Sequence, residues 1–241
     1  MKKQILTIFS LVVVVFVFAL QHVDAQDDSI SGRADRYSIA LKNFEKGKGK
    51  KSVESVYRKG QLVAEKLDEL EKLNEADYAS VEKKMRGFVV NRDEIIFVKP
   101  ETDFFRNLSK KFGTKAGVAF FSFLGELKPD NVWSVCTEQQ TDYSGCTIYG
   151  KGILTGLYGR AKQFRRQYPS AYAADIKEEI DKIKEKFTDG TCACGDVNGV
   201  VEEFRLFIKT FPADEITPAV KTRLKAVQNK QTSIRFDCQS G

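Results

Sequence analysis

Apolar residues recur at intervals of three and four along most of this chain, and that spacing constrains the fold more than any other feature. It is clearest in 52–73, where Val53, Val56, Gly60, Val63, Leu67 and Leu70 form a seam while Glu65, Lys66, Asp68, Glu69, Glu71 and Lys72 occupy the opposite side. An apolar stripe on a 3.6-residue period specifies a helix packed on one face, and this alternation is that of a left-handed bundle. Shorter copies of the pattern fill the chain. Tyr37, Leu41 and Phe44 define a helix over 33–46, and GKGKK (Gly47–Lys51) ends it as a solvated turn. Asn74 is placed to cap a helix bearing Tyr78, Val81 and Met85. The loop before it is short, which predicts an antiparallel pair with the preceding helix.

Further along, Phe104, Leu108 and Phe112 mark a helix over 102–112, stopped by Gly113. The next, capped by Thr114 and reading AGVAFFSFLGEL, is apolar nearly all round, as expected of a helix at the centre of a fold. Leu154, Leu157, Ala161, Phe164 and Tyr168 form a stripe over 150–167, among glycines at 150, 152, 156 and 159 that allow close packing. Tyr172, Ile176, Ile180, Ile183 and Phe187 form the next. Val197, Val200, Phe204, Phe207 and Phe211 then face inward, followed by a last helix with Val220, Leu224 and Val227 opened by Thr217 and Pro218. The fold class is therefore mainly α, an antiparallel helical bundle of about eight or nine helices. Two β-branched runs flanking Asn91-Arg92-Asp93-Glu94 break the period, so a small β-hairpin near 87–98 is expected, with a helix end and an extended crossing as the alternative.

Ahead of all this, Lys2 and Lys3, the apolar run Ile5–Leu20 and the small-residue site Val23-Asp24-Ala25 have the three parts of a secretory signal. The apolar run is shorter than the ~20 residues of a spanning helix, so cleavage after Ala25 is expected rather than a retained anchor. The divisions read as 1–25 signal peptide, 26–99 N-terminal helical region and 100–241 cysteine-containing helical domain. The expected location is secreted or periplasmic, with no membrane span once the signal is removed.

Export changes the meaning of two residue types. The only histidine is His22, inside the signal, so the exported chain has none. Ser-His-Asp and Cys-His catalysis and imidazole-bound zinc are thereby excluded, while carboxylate chemistry survives. The five cysteines, Cys136, Cys146, Cys192, Cys194 and Cys238, read as disulfides that brace the C-terminal half, with one left over. Nine residues separate Cys136 from Cys146, and a bond between them would close the polar, loop-like segment 137–145. Cys192 and Cys194 are too close to join each other without strain and take different partners, with Cys238 the natural choice for one. Disulfides are preferred here to thiolate metal ligands, and no metal or cofactor is expected. Asp189, Asp196, Asn198 and Glu202 miss the calcium-loop spacing at Val200, and Asn198 reads better as a helix cap.

Charge is uneven. Without Lys2, Lys3 and Asp24, the 39 basic and 33 acidic residues fall to 37 and 32, a net of +5. Between Asp142 and Asp175 there is no acid, while Lys151, Arg160, Lys162, Arg165 and Arg166 are all basic. With Tyr158 beside them, these side chains form a candidate surface for a phosphate, sulfate or carboxylate, and the local field would steer anions toward it. A solvated helix face is the plainer alternative. The leading expectation is thus an exported, non-enzymatic binding protein that engages an anionic protein surface, glycan or envelope polymer through this helix and a disulfide-closed loop. No nucleic-acid motif accompanies the charge, so specific nucleic acid is not the expected partner. A carboxylate-dependent glycan hydrolase using Glu138 and Asp142 is the second reading, and a structural envelope component without a ligand the third. No catalytic residue is assigned, and the oligomeric state cannot be read from these residues.

Overall fold

Nine helices and two small sheets make up the described part of the chain, residues 29–48, 52–69, 74–91, 97–129, 133–141, 144–236 and 238 of a computed structural model. The expected signal, His22, Asp142 and residues 92–96 lie outside these residues. No helix among those described is long and apolar enough to cross a membrane.

The first helices follow the apolar pattern. Helix α1 (Ile30–Glu45) begins where the Ser29 hydroxyl accepts a hydrogen bond from the Gly32 amide, and it buries Tyr37, Leu41 and Phe44. Helix α2 (Val53–Asp68), capped by Ser52, buries Val53, Val56, Val63 and Leu67; Leu70 of the predicted seam lies outside the described residues. Asn74 caps α3 (Glu75–Lys84) through the Asp77 amide. One expectation changes here. The principal partner of both α2 and α3 is α1, rather than each other. The reason is that the buried residues of α1, Ala34, Tyr37, Ala40, Leu41 and Phe44, make one apolar face about 120° wide, broad enough to meet both helices.

The predicted hairpin is present. Strands β1 (Phe88–Asn91) and β2 (Phe97–Pro100) pair antiparallel from Phe88↔Pro100 to Asn91↔Phe97. Gly60 lets it dock: a Cβ at that position would overlap the Phe88 ring, so only hydrogen allows β1 to lie against α2.

Helix α4 (Thr102–Phe112) is rotated from its expected face. It buries Phe105, Leu108 and Ser109, leaving Phe104 half-buried and Phe112 exposed. Phe105 wins because it enters an aromatic cluster, with Tyr57, Phe88 and Phe121 rings at 5.3, 5.2 and 5.1 Å. Phe104 instead covers Gly87, beneath the Arg86 guanidinium. Helix α5 (Lys115–Leu127), capped by Thr114, is central as predicted, burying Phe120, Phe121, Phe123, Leu124 and Leu127 and packing on α4.

A second sheet replaces the expected loop after Trp133. Strands β3 (Thr137–Thr141) and β4 (Ser144–Ile148) form a hairpin. Its outer strand is polar because it lies at the sheet edge, which hides it from a search for apolar alternation. Helices α6 (Ile153–Gln167) and α7 (Ala173–Thr188) follow and pack together. Strand β5 (Cys192–Cys194) joins β4 in parallel, helices α8 (Val197–Thr210) and α9 (Thr217–Gln228) pair, and β6 (Arg235–Phe236) adds to β5 in parallel. Three local expectations shift. Asp196, not Asn198, caps α8, since its carboxylate reaches the Asn198 and Gly199 amides. Val197 in the first turn of α8 is exposed. Thr217 lies inside the first turn of α9 and donates its hydroxyl to the Phe211 carbonyl.

The sheet also decides the cysteines. Cys146 bonds Cys194 and Cys192 bonds Cys238, leaving Cys136 free and buried. The expected Cys136–Cys146 bond is not formed. The hairpin register sets Glu138 opposite Cys146 and hydrogen-bonds Cys136 to Ile148, two positions away. Parallel pairing of Ile148 with Cys194 brings the Cys146 and Cys194 Cα atoms to 5.1 Å, within disulfide range. The predicted Cys238 pairing and the separate partners of Cys192 and Cys194 hold. Buried residues from Ala34 to Ile234 form one hydrophobic cluster.

Non-reducing peptide mapping should recover Cys146–Cys194 and Cys192–Cys238 with one free thiol at Cys136. The double change Cys146→Ser/Cys194→Ser, which opens a 48-residue separation, should cost about 4 kcal/mol of unfolding free energy in urea titrations. Detection of a Cys136–Cys146 peptide would contradict the register.

Candidate functional site

Helix α6 has an unusual start. Gly150, Lys151 and Gly152 all have positive φ, and Gly150 packs against the Gly199 backbone. No side chain of the turn caps the helix. The cap comes from α8: the buried Glu203 carboxylate accepts the Gly152 amide at 3.1 Å, the Thr155 amide at 2.8 Å and the Thr155 hydroxyl at 2.7 Å. A carboxylate at a helix N-terminus is favoured by the free amides and the helix dipole. That anion-binding end is therefore already occupied from within the protein.

Of the six predicted binding residues, three are engaged by acids from elsewhere in the chain. Tyr158 is fully buried and donates to Asp214 Oδ1 at 2.9 Å. Lys162 pairs with the other oxygen of Asp214, whose side chain is 2% exposed. Arg160 reaches Glu126 at 3.0 Å, with both side chains about half exposed. Lys151, Arg165 and Arg166 are exposed and form no ion pair among the described residues. Tyr158 is thus a correction: it lies at the helical position facing Phe207 and Phe211 rather than alongside the outward cations. Burial, together with the bond to Asp214, raises its pKa well above that of a free tyrosine. Burial also pushes the Asp214 pKa upward, but bonds from Lys162, the Ile216 amide and Tyr158 outweigh it and hold the carboxyl below its ordinary value.

Glu138 of the hydrolase reading is exposed on β3, and Asp142 lies outside the described residues. Among the described residues no three His, Cys, Asp or Glu side chains converge on a metal position.

Concavity occurs elsewhere, along α7. A hollow of about 290 Å³ has Tyr57, Phe88 and Phe120 in its wall and Asp175, Glu178 and Glu179 at its rim. Most of its charges are paired: Asp175 with Arg58 at 3.0 Å, Lys128 with Glu179 at 3.0 Å and Lys182 with Glu178 at 2.6 Å. A second hollow, of about 430 Å³, shares Lys128, Glu179 and Lys182 with the first and continues to Trp133, Cys136 and Lys186. The stretch with the only tryptophan, Trp133, and Cys136 supplies one wall of this hollow, but 179–192 supply the other, and no local pattern joins two segments so far apart. The last turn of α7 is held by Arg223, which donates to the Phe187 carbonyl at 2.8 Å and to Gly190, and by Tyr149, which donates to the Lys186 carbonyl at 2.6 Å. Burial raises the Tyr149 pKa to about 12, so it remains a donor at neutral pH.

No known protein family, curated protein or solved structure matches the chain.

Asp214→Asn should lower stability by about 2 kcal/mol at pH 7, from lost charge-assisted hydrogen bonds. Because the folded pKa is depressed, this contribution is present above the ordinary carboxyl pKa and vanishes as pH falls through the folded value. Urea unfolding of native and variant proteins should therefore converge in strong acid.

Proposed function

We propose that the protein is an exported, non-enzymatic binding protein for an anionic partner, contacted through the outward edge of α6. The reading rests on one observation: Lys151, Arg165 and Arg166 project from a stretch without acids and remain unpaired among the described residues. Arg160 is set apart from them, because helical spacing turns it about 120–140° from Arg165 and Arg166, toward Glu126. Recognition is by side chains, because Glu203 already holds the helix amides. In place of the disulfide-closed loop first expected, the support is the disulfide-braced sheet, on helix pairs we read as an antiparallel bundle. Two disulfides and the lack of a spanning helix among the described residues are compatible with an extracellular or periplasmic location, and the N-terminal signal would direct the chain there. Lys151 precedes the first turn of α6 and Arg165 and Arg166 lie in its last, so a glycan or envelope polymer can reach both ends where a compact ion cannot.

Binding to immobilised heparin and polyglutamate should weaken steadily with salt. Changing Lys151, Arg165 and Arg166 to Gln should reduce the slope of log affinity against log salt by roughly one unit per cation. Equal retention of both proteins at every salt concentration would exclude this edge.

A further inference from the structure

The larger hollow beside α7 carries an unmatched charge. Lys186 lines it, and among the described residues its Nζ bonds two hydroxyls, Thr137 Oγ1 at 3.3 Å and Thr147 Oγ1 at 3.4 Å. It has no carboxylate partner among the described residues, whereas its neighbours Lys128 and Lys182 are both paired with glutamates. A half-buried ammonium facing neutral hydroxyls has lost part of its hydration without gaining a counter-charge, so an anion entering the hollow would be held strongly. The lysine is also fixed at its base, because Tyr149 and Arg223 clamp the carbonyls of its turn.

Across the hollow stands Trp133, the only tryptophan, half-exposed. It lies beside Gly145, where even a Cβ would come to 3.5 Å of the indole, and Gly145 shares the hollow with Thr137 and Thr147. The hollow's volume of about 430 Å³ falls within the range of small-ligand sites, and its wall joins one half-exposed indole and several hydroxyls to three lysines and two glutamates, Glu179 and Glu185. A simple anion would use the lysine and leave the indole idle. A neutral sugar would use the indole and leave the lysine unmatched.

We infer that this hollow binds an acidic saccharide, with a carboxylate or sulfate on Lys186, a ring face against Trp133 and ring hydroxyls on Ser134, Thr137 and Thr147. The site lies among different residues from the α6 edge, so the two can fail separately.

The single tryptophan reports on the site directly. Fluorescence of the purified protein should change saturably with oligogalacturonate or with heparin-derived oligosaccharides, which separates carboxylate from sulfate. It should not change with neutral cello-oligosaccharides or inorganic sulfate at the same concentrations. Lys186→Gln should weaken the response about tenfold, the equivalent of about 1.4 kcal/mol, while Lys186→Arg retains it and circular dichroism verifies that both variants are folded. Changing Lys151, Arg165 and Arg166 to Gln should leave the response intact. A response to sulfate alone as strong as to any saccharide, an equal response to neutral sugars, an unaltered response in folded Lys186→Gln, or no response to either acidic saccharide would overturn the inference.

Discussion

The fold turns on the aromatic contacts made by helix α5. Phe120 stacks on Tyr172 with centroids 4.1 Å apart and rings nearly parallel, and Phe121 meets Tyr57 edge-on at 5.1 Å. Those rings tie α2, from the first part of the chain, to the entrance of α7, from the second. Each buried aromatic contributes about 1.5–3 kcal/mol of burial, with a further ~0.5–1.5 kcal/mol for each well-oriented pair. A helix apolar on nearly every side is insoluble alone and requires neighbours all round it. Helix α4, the N-terminal helices and α6–α7 are placed by that requirement, and the disulfide-linked sheet then closes the C-terminal end.

Electrostatics follows from the same packing. The acid-free run 143–174 looks like a concentrated positive surface when read along the chain. In space, acids from distant segments enter it: Glu203 caps α6, Asp214 takes Lys162 and Tyr158, and Glu126 approaches Arg160. What remains is a narrower row of cations. The converse occurs at Lys186, which sits in sequence beside Glu185 yet bonds two hydroxyls and no carboxylate among the described residues. Helix geometry explains both cases, since sequence neighbours point in different directions while residues fifty positions apart share a face.

The two candidate surfaces suit different scales of ligand. The exposed cations of α6 lie toward its two ends, a separation suited to the length of a polymer. The hollow by Trp133 is concave, fit for one or two residues of it. A protein that holds an acidic polymer loosely along an edge and one unit of it closely would combine steering with selectivity.

Much of this was legible in the chain. Helix positions, the caps at Asn74 and Thr114, the centrality of 115–127 and the β1–β2 hairpin all follow from local spacing, because amphipathic period and capping act over a few residues. Charge pairing, the rotation of α4 and the disulfide partners were not. Phe104 and Phe105 are equally apolar, and only the Tyr57 and Phe121 rings select Phe105. Cys136 is nearest to Cys146 along the chain, yet parallel pairing of β4 with β5, across 48 positions, gives Cys146 to Cys194. The sequence by itself determined which segments become helices and that no histidine follows position 22. Tertiary structure alone decided which cysteines join, which cations stay free and where a hollow opens, because each depends on segments far apart in the chain meeting at one place.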